Sequence, residues 1–158
     1  MHHFLEDHVQ PGDICIDATM GNGNDTALLS RLVGESGRVV AFDIQQMALD
    51  NTREKMKKEG CPENYELVLD SHETMTEYAE ENTVSCIIFN LGYLPGGDHT
   101  KATKGESSIR AIETGLGLLK KKGIRKDLHL VHIPEQLQNQ AVCLFTGLRA
   151  EIKAQTVH

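Results

Sequence analysis

The sequence predicts an α/β fold in which helices cover both faces of a mostly parallel sheet. Two observations support this prediction. Short apolar runs alternate with segments of helical periodicity, as parallel sheets with crossover helices require. Four of the apolar runs end in a polar residue, and in parallel sheets ligands bind beyond the carboxyl ends of the strands. The chain has 158 residues, which suits one compact domain, so we expect a single domain over residues 1–158.

The elements follow from their patterns in chain order. Phe4 and Leu5 have the spacing of the middle of an amphipathic helix, so the native start is expected upstream. Apolar residues recur every three or four positions in the helical segments, as at Ile109, Ile112 and Leu116. Gly-rich turns separate several of these segments. Strands are predicted at 13–17, 38–43, 65–70, 84–90 and 128–133, and helices at 26–33, 45–59, 73–80 and 107–121.

The turn after the first strand carries the strongest functional signal. The run Asp17-Ala18-Thr19-Met20-Gly21-Asn22-Gly23 places an acid at a strand end and a Gly-x-Gly turn before a helix. Its glycines allow a sharp turn and a close approach to a ligand. The second strand also ends in an acid, Asp43, which is placed to accept hydrogen bonds from ribose hydroxyls. Together they predict an adenosine-containing cofactor.

The residues after this turn favour S-adenosylmethionine over NAD. Thr26 stands where a dinucleotide fingerprint has its third glycine. Asp25 puts a negative charge where a pyrophosphate would need the helix N-terminus, whereas it suits the sulfonium and ammonium of S-adenosylmethionine. A simpler interpretation is that Asp25 only complements the helix dipole.

The fourth strand leads into a loop suited to an amine substrate. It ends at Asn90, and the loop continues as Leu91-Gly92-Tyr93-Leu94-Pro95-Gly96-Gly97-Asp98. Asn90 offers an amide oxygen that could orient an amine, and Tyr93 offers a flat ring for stacking. This arrangement is similar to the Asn-Pro-Pro-Tyr loop of amino-directed methyltransferases. Asp98 or His99 could take the released proton, although either is also ordinary loop polarity, and Tyr93 could instead pack in the core.

Composition and charge limit the functional classes. No apolar stretch resembles a membrane span or signal peptide, and the four cysteines form no C-x-x-C pair, so a cytoplasmic protein is expected. His129 and His132 lack a metal spacing, and no metal is predicted. Residues 1–100 hold 6 basic and 18 acidic residues (net −12), and the remainder hold 10 and 5 (net +5). The basic part, including Lys101 and Lys104, could steer RNA or could simply be a solvated helix end.

The motifs identify a resemblance. The runs 17–26, 42–45 and 90–98 resemble the family once called putative rRNA methylases, whose characterised members are S-adenosylmethionine-dependent tRNA methyltransferases. These convert 5-aminomethyl-2-thiouridine at the wobble position to its methylaminomethyl form. The resemblance implies a Rossmann-like class I methyltransferase fold and a tRNA substrate bound at its anticodon region. It covers residues 1–123, whereas 124–158 form a divergent or truncated tail whose open sheet edge could pair with a second copy as a homodimer.

The candidate residues fall into three groups. The catalytic candidates are Asn90, Tyr93 and Asp98. The substrate-binding candidates are Asn90, Leu91, Gly92, Tyr93, Leu94, Pro95, Lys101 and Lys104. The cofactor-binding candidates are Asp17, Thr19, Gly21, Asn22, Gly23, Asn24, Asp25, Thr26, Asp43, Ile44, Gln45, Asp70, Ser71, His72 and Asn90.

Three alternatives stay open from the sequence. The loop at Asn90 also fits a methyltransferase for ribosomal RNA, a protein amide or a small amine. The unusual tail fits a protein that binds the cofactor without completing a turnover. An NAD-dependent oxidoreductase is disfavoured by Thr26.

Overall fold

A computed structural model of the chain describes residues 2–90, 105–120, 126–132 and 140–146. Apolar runs form the strands, and segments with apolar residues at helical spacing form the helices between them. The elements are α1 (His2–His8), β1 (Ile14–Asp17), α2 (Asn24–Val33), β2 (Arg38–Asp43), α3 (Gln46–Lys58), β3 (Tyr65–Leu69), a 3₁₀ helix (His72–Glu77), β4 (Cys86–Asn90), α4 (Gly105–Leu118), β5 (Lys126–His132) and β6 (Gln140–Thr146).

The strands form one six-stranded sheet in the order β3-β2-β1-β4-β6-β5. Strands β1 to β4 are mutually parallel, and β6 runs antiparallel to both β4 and β5. The register aligns Asp17 with Ala41 of β2 and with Ile88 of β4. The predicted α/β class with a mostly parallel sheet is therefore confirmed, and the carboxyl ends of β1, β2 and β4 meet at one edge.

Helices cover both faces because the strands alternate their side chains. On one face, Val39 and Ile88 pack with Leu5 of α1 and Leu29 of α2. On the other face, the largest cluster joins the central strands to the 3₁₀ helix and α4, and it includes Ile16, Val40, Phe42, Met75, Ile87, Phe89, Ala111 and Leu118. The helices packed on the two faces therefore fix the position of the sheet edge at which the predicted site lies. Within the described ranges, no helix combines the length and apolar character needed to cross a membrane.

The structure corrects two predicted elements. The helix expected at 73–80 is a 3₁₀ helix that ends at Glu77. Tyr78 follows it and packs edge-on against Phe42, with ring centroids 5.2 Å apart. The half-buried Tyr78 thus packs against the core at the point where the helix was expected to continue. The strand expected at 128–133 forms as β5 but pairs with β6, an unpredicted strand that separates β5 from β4.

Candidate functional site

The candidate site lies where three parallel strands end. Asp17, Asp43 and Asn90 are the last residues of β1, β2 and β4. The chain stays paired beyond β1, because Ala18 N donates to Ile88 O at 2.8 Å and Met20 N donates to Phe42 O at 2.9 Å. The glycine turn is thus anchored to both neighbouring strands, which brings the sequence-predicted residues of these three ends together.

Asp17 lies beneath the glycine turn rather than on its surface. Its side chain is fully buried, and its carboxylate accepts from Thr26 Oγ1 at 2.6 Å and from Thr19 N at 3.2 Å. Burial and the nearby Asp25 charge raise the pKa of Asp17 to about 7, although the hydrogen bonds from Thr26 and Thr19 oppose the shift. Thr26 is also fully buried. Asp17 and Thr26 therefore support the turn from the protein interior.

Asp43 ties the glycine turn to the end of β2. Its two carboxylate oxygens accept from Gly21 N at 3.1 Å and from Gln45 N at 3.0 Å. Each oxygen can accept a second hydrogen bond, and the residue remains half-buried. The carboxylate can therefore hold the turn and still receive ribose hydroxyls.

The turn itself depends on two left-handed glycines. Gly21 has φ 54° and Gly23 has φ 85°. A Cβ at Gly23 would lie 3.0 Å from three atoms of Thr52, so the turn packs closely on α3. The sequence prediction missed this support from α3, where Thr52 Oγ1 donates to Gly21 O at 3.1 Å.

A second contact between α3 and the glycine turn was also not predicted from the sequence. Asn51 Nδ2 donates to Asn22 Oδ1 at 3.1 Å. The only signal for it was the pair Asn51-Thr52 inside a helix, where such residues are intrinsically unfavourable. Asn22, in the glycine turn, and Asn24, the first residue of α2, are both exposed.

The end of β3 adds polar groups at the same sheet edge. Asp70 Oδ1 accepts from Ser71 N at 2.7 Å, and Ser71 Oγ caps the 3₁₀ helix by accepting from Glu73 N at 3.2 Å. His72 is buried, with Nδ1 3.2 Å from Ala18 O and its ring edge-on to Phe89. His72 therefore braces the β1 turn from inside.

Apolar side chains complete an environment that fits adenosine. Ile44, which follows β2, and Leu69, the last residue of β3, are 41% and 47% exposed. The register aligns Leu69 with Asp43, and Ile44 follows Asp43 directly, so both residues lie at the end of this strand pair. Exposed aliphatic groups beside a carboxylate suit a purine ring and its ribose, so the residues present fit an adenosine cofactor. Met47, at the start of α3, adds to this exposed apolar surface.

Asn90 is held at the edge by two contacts. Its backbone N–H donates to Thr19 Oγ1, and its side-chain Nδ2 donates to Asp25 Oδ2 at 2.8 Å. One contact comes from the β1 turn and the other from the first turn of α2. The amide that the sequence singled out is therefore built into the same network as the glycine turn.

Several predicted site residues lie outside the described residues. These are Leu91, Gly92, Tyr93, Leu94, Pro95, Asp98, Lys101 and Lys104. In the part of the chain that is described, no group of three or more His, Cys, Asp or Glu side chains could hold a metal ion.

Comparison with known proteins identifies the family of the chain. The family described as "Putative rRNA methylase" matches residues 39–127. A tRNA (mnm(5)s(2)U34)-methyltransferase, chloroplastic, from Arabidopsis thaliana is 36% identical over 135 residues, which cover 78% of this chain and 48% of that protein.

Two solved structures share the fold closely. A "putative rRNA-methylase" from Clostridium thermocellum has a TM-score of 0.78 at 32% identity, covering 91% of this chain and 94% of that one. A "putative methyltransferase" from Streptococcus mutans, solved in complex with SAH, has a TM-score of 0.73 at 31% identity with the same coverage.

The fold is thus the Rossmann-like fold of S-adenosylmethionine-dependent methyltransferases. The chain belongs to the rRNA methylase family, whose match spans more than half of it. This confirms the resemblance found in the motifs. The chain spans about half the length of the curated relative from Arabidopsis.

Proposed function

We propose that the chain uses S-adenosylmethionine to methylate the aminomethyl nitrogen of a modified wobble uridine in tRNA. The observation that carries this proposal is the anchored amide of Asn90 beside the glycine turn. The name of the Arabidopsis relative, which specifies the same uridine, supports the choice of substrate. The product would be 5-methylaminomethyl-2-thiouridine.

The described residues fit the cofactor in three parts. The Gly21–Gly23 turn allows close backbone approach, Asp43 suits the ribose hydroxyls, and Ile44 with Leu69 suits the base. Asp25 adds negative charge that favours a cationic ligand. When bound, the cofactor supplies an electrophilic methyl group on a sulfonium sulfur.

The transfer asks for an aligned, uncharged amine. The nitrogen lone pair forms the new N–C bond while the S–C bond breaks, and the amine then loses a proton. Asn90 Oδ1 would accept an N–H of this amine and turn its lone pair toward the methyl group, so that alignment supplies much of the rate. Tyr93 would stack on the base, and Asp98 would receive the proton.

The cofactor is tested by calorimetry on the purified chain with S-adenosylmethionine and NADH. We expect S-adenosylmethionine to bind, and Asp43→Ala to weaken that binding strongly. Binding of NADH alone would overturn the cofactor assignment. The substrate is tested by methyl transfer to tRNA that carries 5-aminomethyl-2-thiouridine, with ribosomal RNA as the competing substrate. Methylation of ribosomal RNA alone would favour the alternative that the family description suggests.

Asn90→Ala separates catalysis from cofactor binding. The substitution removes the amide that would orient the amine, so we expect kcat to fall about a hundredfold, while cofactor affinity stays within about threefold. Single-turnover methyl transfer and calorimetry measure the two quantities. Equal losses of turnover and cofactor affinity would contradict the assigned role.

A further inference from the structure

One contact in the site has a direction that its chemistry fixes. Asn90 Nδ2 lies 2.8 Å from Asp25 Oδ2, and the two residues are 65 positions apart in the chain. An ionised carboxylate can only accept hydrogen bonds. The NH₂ group of Asn90 must therefore face Asp25, and the amide oxygen is turned to the other side.

Neighbouring contacts hold the backbone of Asn90 in place. Its backbone N–H donates to Thr19 Oγ1, and the backbone N–H of Thr19 donates to the buried Asp17 carboxylate. Asp25 sits in the first turn of α2, where the helix dipole stabilises a negative charge. The cap position of this helix is Gly23, which provides no side-chain cap.

We propose that Asp25 is a positioning residue. Its hydrogen bond holds the side-chain amide of Asn90 so that Oδ1 faces the amine that receives the methyl group. The inference rests on the proposed methylation of an amine. A reversed amide would present its NH₂ group, which cannot accept an N–H from the substrate. The NH₂ group would instead donate to the amine lone pair and occupy the electron pair that must attack the methyl group.

The test is a double-mutant cycle with Asp25→Ala and Asn90→Ala, measured as kcat at saturating cofactor and tRNA. Loss of a hydrogen bond to a charged group predicts a fall of roughly tenfold to a hundredfold for Asp25→Ala alone. In the Asn90→Ala background, Asp25→Ala should lower kcat by less than about threefold, because the amide that Asp25 positions is absent. The kcat of Asp25→Asn should lie between those of wild type and Asp25→Ala, since the new amide can either accept or donate a hydrogen bond.

Asp50→Ala is the matched control. Asp50 also accepts a side-chain amide, from Gln46 Nε2 at 2.9 Å, but it does so on the exposed surface of α3. We expect this variant to retain wild-type kcat. An equal loss for Asp25→Ala in both backgrounds would overturn the proposal. So would a loss confined to cofactor affinity, because Asp25 would then act on the cofactor alone.

A second measurement separates this inference from the proposed function. In ¹⁵N-labelled protein, the side-chain amide signals of Asn90 are assigned as the pair missing from Asn90→Ala. We expect Asp25→Ala to shift this pair and speed its exchange with water, whereas Asp50→Ala leaves it unchanged. If wild type fails to methylate tRNA, the proposed function falls. In that case an Asn90 pair unmoved by Asp25→Ala overturns the positioning contact as well.

Discussion

At the scale of single residues, the site contains one carboxyl group, that of Asp17, that is shielded from solvent. Asp17 is fully buried beneath the glycine turn and is held by Thr19 and Thr26. Its pKa is raised to about 7, first by burial and then by Asp25, with a smaller effect from Asp43. Asp17 therefore accepts hydrogen bonds that hold the turn, but its burial makes ionisation of the carboxyl group unfavourable.

This cost predicts a pH-dependent stability. Because the folded pKa of Asp17 exceeds the ordinary value of 3.8, the folded state binds more protons between about pH 4 and pH 7. The resulting stability is fully present below pH 4 and is lost as pH rises through about 7. The slope reaches about 1.4 kcal/mol per pH unit for one full proton.

We expect Asp17→Asn to flatten this slope in urea unfolding curves measured at several pH values across the window. Only the difference in slope from wild type is compared, so a uniform loss of stability in the variant does not matter. Asp50→Asn, on the surface, should keep the wild-type slope. Parallel curves for wild type and Asp17→Asn would contradict the buried titration.

At the scale of elements, the link between α2 and β2 depends on a glycine for space. A Cβ at Gly37 would lie 2.4 Å from Val33 Cβ, 2.6 Å from Val33 O and 2.7 Å from Asp13 O. Two of these neighbours are backbone atoms that cannot move alone. Gly37 thus lets the link pack directly against the last residue of α2 and against Asp13, the residue before β1.

Gly37→Ala should therefore lower the free energy of unfolding by about 1–3 kcal/mol, as overpacking typically does. Gly117→Ala is the opposite control, since Gly117 lies in α4 with nothing within 4 Å of its added Cβ. It should stabilise the protein by about 0.5–1 kcal/mol, the usual difference between Gly and Ala in a helix. Chemical denaturation measures both, and a neutral Gly37→Ala would show that the link can relax.

Sequence patterns predicted the elements whose signals are local. The strands β1, β2 and β4 are bounded by polar residues, so Asp17, Asp43 and Asn90 were placed correctly at their ends. The contact between Asp25 and Asn90 was not foreseen, because no local pattern relates residues so far apart. Likewise β6 was missed, since its place depends on antiparallel pairing with β4 rather than on its own periodicity.

At the scale of the whole molecule, the charges divide along the chain. The first 100 residues carry a net −12 and the remainder a net +5. The acids Asp25 and Asp43 belong to the negative part and lie beside the glycine turn, where negative charge suits a cationic cofactor. A polyanion such as tRNA would instead be attracted to the basic part, which includes Lys101 and Lys104.

Under the proposed function, this division predicts different salt dependence for tRNA and for the cofactor. Binding of tRNA should weaken steeply between about 50 and 200 mM salt because phosphate contacts release counterions, whereas cofactor affinity should change little. The double charge reversal Lys101→Glu with Lys104→Glu should reduce the slope of log K against log salt by about 1.5, as expected for two lost contacts. Fluorescence anisotropy with labelled tRNA, and calorimetry with the cofactor, measure the two affinities.

The matched control for this charge reversal is Lys57→Glu with Lys58→Glu, which makes the same change of charge on exposed residues at the end of α3. A general electrostatic effect of net charge would weaken tRNA binding equally in both double variants. Specific phosphate contacts would weaken it mainly in the Lys101 and Lys104 variant. Equal losses would therefore show that RNA binding follows the overall charge, and the substrate-binding role of these two lysines would be wrong.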